Sequence, residues 1–322
     1  LPPPAALRAQ RCGFCGVVLI AAHGTAWRPA QTIEQPLADP HLPRLWVSGH
    51  RYVLLGRLAR GDGSDVFRAR RDARITEQVV VKILRNMVDA DLLDREQGNL
   101  RALEASNASG STHFAQLLPQ RVDHGTARLG ATGRDGERHV AVFRWRSGFI
   151  HTFEDVFEAH PNGVAPETAI WMYKRLLELL GWVHASGLVH GAVLPAHMLV
   201  HARDHGVMLV GWSCATTPGK ALVATSKDAR AYYADSAWNG SKVDPATDLA
   251  MGARVILRAL GGEVDQAPAS VPSPLARLLE TQAREAPGAV MSAWSLKEKL
   301  DAVAREVFGP PRFVPFTMPG WS

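Results

Sequence analysis

The pattern of apolar and polar positions changes character twice along the chain. Residues 1–50 are Pro-rich, with Pro29, Pro36, Pro40 and Pro43, and show no sustained period, which predicts an irregular extension. From Arg51 the stretch "RYVLLGRLARGDGSDVFRARR" alternates around a glycine turn, and "ITEQVVVKILRN" follows as a β-branched run. Together they predict an antiparallel hairpin or meander. "DADLLDREQGNLRALEA" then places Leu93, Glu96, Leu100 and Leu103 roughly on one face of a helix. Two strand-like stretches, "FAQLLPQRVDHG" and "RHVAVFRWRSG", complete a small β-rich half.

Beyond residue 150 the period becomes helical. "APETAIWMYKRLLELLGWVHASG" opens on Pro-Glu and stops at Gly, the punctuation of a long helix. "HMLVHARDHGVMLVGW" holds two apolar runs split by a polar turn and predicts a hairpin. "DPATDLAMGARVILRALGG" reads as a buried helix capped by Asp244 with Pro245 in its first turn. Two more helices are expected near 273–284 and 292–307.

Read in order, these segments resemble the protein-kinase-like fold, an α+β bilobal architecture. The resemblance implies an N-lobe over 51–142, a helical C-lobe over 143–307, a tail over 308–322 and the extension over 1–50. "VVVK" at 79–82 stands where the family has "VAIK", so Lys82 takes the place of the phosphate-contacting lysine and Glu96 that of its helix partner. The glycine loop is degraded to "LARGDGSDV": Ala59 replaces the first glycine and Ser64 the third, Gly61 holds the second position, and Gly63 is an extra beside it. A phosphate cradle needs closely approaching backbone amides, and Asp62 and Asp65 add unfavourable negative charge beside it. Val80 replaces an alanine where the adenine ring would rest. Only weak ATP binding is left to this vestigial nucleotide cleft.

The catalytic loop of the family, H-R-D-L-K-P-x-N, corresponds to His190, Gly191, Ala192, Val193, Leu194, Pro195, Ala196 and His197. The base has become Ala192, the phosphate-neutralising lysine Leu194 and one magnesium ligand His197. "LVGWS" stands for "LIDFG", so the second magnesium ligand has become Gly211, with Trp212 at the aromatic position. Phosphoryl transfer depends on positioning and charge neutralisation, which these residues cannot supply. His190 and Trp212 keep the places of interior stacking residues, and Asp248 that of the buried aspartate that hydrogen-bonds the loop backbone. The "APE" glutamate and its arginine are Ser236 and Val290, a paired loss.

"VHGAVLPAHMLV" also resembles the loop of small-molecule phosphotransferases such as aminoglycoside kinases, but the long interval from Gly211 to Asp248 favours the protein-kinase branch. The resemblance therefore implies a catalytically inactive pseudokinase, a bacterial scaffold or regulatory module in signalling. Its partner would be another protein, a kinase, phosphatase or client. The alternatives are a non-phosphorylating nucleotide-dependent transferase, which would have to draw a metal ligand from Asp62 or Asp65, and a degenerate small-molecule phosphotransferase.

Charge and cysteine content trim this picture. The net charge is +5, only seven of the 36 basic residues are Lys, and no basic run occurs, so no nucleic-acid partner is expected. "GVVLIAA" is too short to span a bilayer and lacks a signal-peptide pattern, so no membrane partner is expected either. Three cysteines exclude a disulfide framework and favour a reducing, cytoplasmic compartment. Cys12 and Cys15 form a C-x-x-C knuckle, the candidate metal site. Zinc needs four ligands, and His23, His41 and His50 lack ligand spacing, so a ribbon remnant or plain thiols are expected and no cofactor is required. His197, His201 and His205 with Asp204 read as a scattered, exposed turn.

Overall fold

The computed structural model describes residues 42–129, 137–284 and 291–318. Two compact units divide the chain: residues through Ala90 with Arg121–Ser147, and Asp91–Gln120 with Gly148 onward.

The first unit is a closed barrel of six strands: β1 Arg44–Val47, β2 His50–Arg60, β3 Ser64–Arg71, β4 Gln78–Leu84, β5 Arg121–Leu129 and β6 Glu137–Arg144. Their order is β1-β2-β3-β4-β6-β5, closed by antiparallel pairing of β1 with β5. Alternation drives it. Val79, Val81 and Ile83 of β4 point into a core with Leu45, Leu54 and Val142, while Val80 and Lys82 take the opposite face. Closure leaves no unpaired edge.

Residues 44–47 correct the irregular extension expected over 1–50. Leu45 and Val47 are buried in the barrel, but a four-residue strand behind Pro43 carries too short an alternation to register as a pattern. A second correction concerns 114–125. Ser111–Phe114 is a helical turn (α2), a 3-10 turn covers Ala115–Leu117, and the strand begins only at Arg121.

The second unit is mostly helical. It comprises α1 Ala90–Glu104 (its first residue belonging to the barrel unit), α2, α3 Phe153–Ala159, α4 Pro166–Ala185, α5 Asp235–Trp238, α6 Pro245–Ala259, α7 Ser273–Ala283 and α8 Ala293–Phe308. A three-stranded sheet joins them, β7 Phe149–Thr152, β8 Met198–His201 and β9 Gly206–Leu209, in that order. Thr152 caps α3 in a reciprocal capping box with Asp155, and the Asp244 side chain accepts from Ala246 N at 3.0 Å to start α6. Pro166 and Pro245 occupy first-turn positions, where a missing N–H costs nothing. Among the described residues no helix is long and apolar enough to cross a membrane. The α+β class and the order of a β-rich sheet followed by helices agree with the kinase-like architecture.

Candidate functional site

In the barrel unit, Lys82 sits on β4 in register with Val66 and Ala141, on the face away from the core, next but one to Val80. The glycine turn is short: β2 runs to Arg60 and β3 starts at Ser64. Neither Gly61 nor Gly63 has a positive φ, and a Cβ on either would make only ordinary contacts at 3.6 Å. The backbone therefore does not require glycine here. The turn is instead organised around Arg85. Its Nη2 donates to the Gly61 carbonyl at 2.6 Å and to that of Asp62, while Nη1 reaches Ser64 O at 3.4 Å and the Asp65 carboxylate at 3.3 Å. Carbonyls turned onto a guanidinium make a cation site already filled from within, the opposite of an amide cradle for phosphate.

In the helical unit, the loop at 190–197 hangs from Asp248. This fully buried carboxylate accepts from His190 N at 2.7 Å and Gly191 N at 2.8 Å, and pairs with His184 Nε2 at 2.9 Å. Three partners make its burial tolerable. His190 is fully buried and packs edge-on against Trp212 with 4.5 Å between centroids. Its Nδ1 accepts from Ala192 N at 3.2 Å, so Nε2 carries the proton and donates to Val210 O, also at 3.2 Å. Burial pushes the imidazole down to about 4, against the opposing pull of Asp248. It is neutral at pH 7.

Gly211 adopts φ 79° and ψ 46°, the left-handed region. A Cβ there would lie 2.8 Å from three atoms of the His197 ring. His197 in turn places Nδ1 3.0 Å from the Ala192 carbonyl and gives its own carbonyl to Val210 N at 2.9 Å. The positions expected to hold the base and both metal ligands are thus packed on one another: a methyl, an imidazole and a glycine. Leu194, expected at the place of the family's lysine, is buried.

Gly191 has φ 70°, and a Cβ would come within 2.4 Å of Leu222 Cδ2. Leu222 belongs to a small apolar cluster with Val189, Ala237 and Val243. The 213–243 segment is joined to the start of the loop through the bridge Val189–Thr216 and closes on itself through Ala221–Lys242. Its start is gripped by α1. Glu96, buried, accepts from Trp212 N at 3.1 Å, and Asn99 Nδ2 donates to Trp212 O and Ala215 O at 2.8 and 2.9 Å. Arg95 reaches Ser213 O and Ala215 O at 3.4 and 3.3 Å. Ser236 lies on α5, where Arg230 pairs with Asp235 and stacks over Trp238 at 4.9 Å. Tyr233 is buried beside it.

Arg85, Arg95, Asn99, His184 and Leu222 escape sequence reasoning; only the i, i+4 spacing of Arg95 and Asn99 offers a signal, a polar pair on the buried side of a helix. The histidines do scatter. His197 goes to Ala192, and His201 Nε2 lies 3.3 Å from Asp204. His205 corrects the expected exposed turn: it is 9% exposed and stacked on Trp171 at 4.1 Å. Cys12, Cys15, His23, His41 and Val290 lie outside the described residues.

No family model matches the chain. Over 244 residues, 72% of its length, it is 28% identical to the serine/threonine-protein kinase PknB of Mycobacterium leprae (strain TN). The match covers 35% of that protein, so the chain spans about a third of the length of this curated relative. With the α+β architecture, this distant homology places the chain in the protein-kinase-like superfamily.

Proposed function

We propose that the chain is a pseudokinase, a kinase-like domain that transfers no phosphate and serves as a protein-binding, scaffolding or regulatory module. One observation carries the reading. Gly211, at the place of a metal-ligating aspartate, is left-handed and covered by His197, whose ring would meet a Cβ at 2.8 Å. Without that carboxylate, and with Ala192 at the place of the base, the loop can neither hold a divalent ion nor accept the proton of an attacking hydroxyl. Arg85 inside the glycine turn adds a second reason for feeble nucleotide binding. The pairing of Asp65 with Arg85 weighs against a metal-dependent transferase that would draw a ligand from that turn.

The retained frame is then a platform. The buried Asp248 anchor and the α1 grip on residues 212–215 hold the 213–243 segment in one shape that another protein, a kinase, phosphatase or client, can recognise. The experiment is incubation of the purified chain with radiolabelled ATP, magnesium or manganese, and general protein acceptors. No incorporation above a no-protein control is expected. Incorporation that disappears in Lys82→Ala would overturn the reading.

A further inference from the structure

The segment after α8 lies on the helical unit as an extended strap with neither helix nor strand over residues 310–318. Side chains hold it. Phe316 and Met318 are buried, while Pro315 before them and Thr317 between them are exposed, the alternation of an extended chain gripping a groove. Arg312 pairs with Glu167 of α4 at 3.1 Å. Phe313 stacks on His205 at 4.4 Å and 10°, and His205 stacks on Trp171 at 4.1 Å and 3°, so the imidazole is sandwiched between rings. Phe316 packs against Trp171 at 5.9 Å and His160 at 5.4 Å. Among the described residues, no backbone–backbone hydrogen bond ties 310–318 to the helices or sheet.

The fit is incomplete in one respect. Trp171 Nε1 and His160 Nε2 are buried in this groove without a hydrogen-bond partner, whereas the His205 ring is already engaged by the backbone of Val314 in the tail. Native proteins leave few such groups, and each one is a penalty that the docked tail carries. A ligand that brought an acceptor to the Trp171 indole N–H and a polar partner to the His160 ring would gain what the tail forgoes. A second copy's tail has the same sequence and would leave the same atoms unsatisfied, so self-exchange offers no such gain.

We propose that this groove is a docking site for an extended peptide of a partner protein, in the order base–aromatic–x–x–aromatic–x–Met with added carbonyl or carboxylate acceptors, and that residues 312–318 are its displaceable resident. Tethering keeps the tail at a high effective concentration, so a partner must outcompete it, and recognition becomes switchable. The site stands whether or not the chain transfers phosphate.

The test uses the full chain and a fluorescein-labelled peptide of residues 310–318, read by anisotropy. Wild type should bind it weakly. The double variant Phe313→Ala/Phe316→Ala, whose own tail is disarmed, should bind at least tenfold more tightly, and adding Trp171→Ala should abolish binding. A folded double variant that binds no better than wild type overturns the proposal. If the variant does not fold, wild type mixed with an excess of the peptide carrying a photo-crosslinking benzoylphenylalanine in place of Phe316 decides: crosslinks to α4 around Trp171 support displacement, and none overturns it. A concentration-dependent dimer dissolved by Phe316→Ala would assign the groove to a second copy and also overturn it.

Discussion

Gly211 and His197 are each intelligible only through the other. A left-handed backbone costs a side chain about 1–2 kcal/mol, and here the imidazole also stands where the Cβ would go. Gly211→Asp should therefore lower unfolding free energy by about 1–3 kcal/mol in urea titrations, without creating metal-dependent phosphate transfer. His197→Ala in the same chain should recover only the steric part, a coupling that a double-mutant cycle would measure. Asp248 is dearer. Asp248→Ala strands two buried amides and the His184 ring, and should cost about 3 kcal/mol or more. His190 gives the fold a pH signature. Its folded pKa of about 4 lies below the 6.5 of an unfolded histidine, so between those values the unfolded chain binds more protons. Its contribution is intact above pH 6.5 and is lost as pH falls toward 4, about 3 kcal/mol over the whole window. His190→Phe should flatten the acid side of the stability profile.

At the scale of elements, α1 and the 213–243 segment form one mechanical pair. Arg95, Glu96 and Asn99 present a polar stripe that meets the backbone of 212–215, and Leu222 plugs the space that Gly191 leaves. Asn99→Ala removes two hydrogen bonds to that backbone. Native-state exchange at residues 215 and 216 should accelerate about tenfold, while the α4 amides stay unchanged. The helices themselves were readable. Pro166, Asp244 and the apolar periods mark α4 and α6 because capping and amphipathicity are local properties. β1 was not readable, since a four-residue strand acquires meaning only from the β2 and β5 partners that pair with it. Arg85 was equally hidden: its targets precede it by some twenty residues across a hairpin, and no local pattern signals that a basic side chain will fold back into a turn.

For the whole molecule, the function we propose amounts to a kinase-like frame with little left to bind or activate a nucleotide, and melting experiments test it. Thermal melting with ATP, with and without magnesium or manganese, should move by no more than about 1 °C, because stabilisation by a ligand requires concentrations well above its Kd. A metal-dependent rise of several degrees would favour the transferase alternative.

The order of segments, the helical half and the residues that stand where the family's motifs are expected were determined by the sequence itself, because periodicity and motif spacing are written in neighbouring residues. That His197 covers Gly211, that Leu222 fills the space beside Gly191, that Arg85 closes its own turn and that the tail lies in an aromatic groove were decided by the tertiary structure alone. Each joins residues well apart in the chain, and such contacts form only when the whole chain collapses and close packing leaves one side chain room that another has vacated.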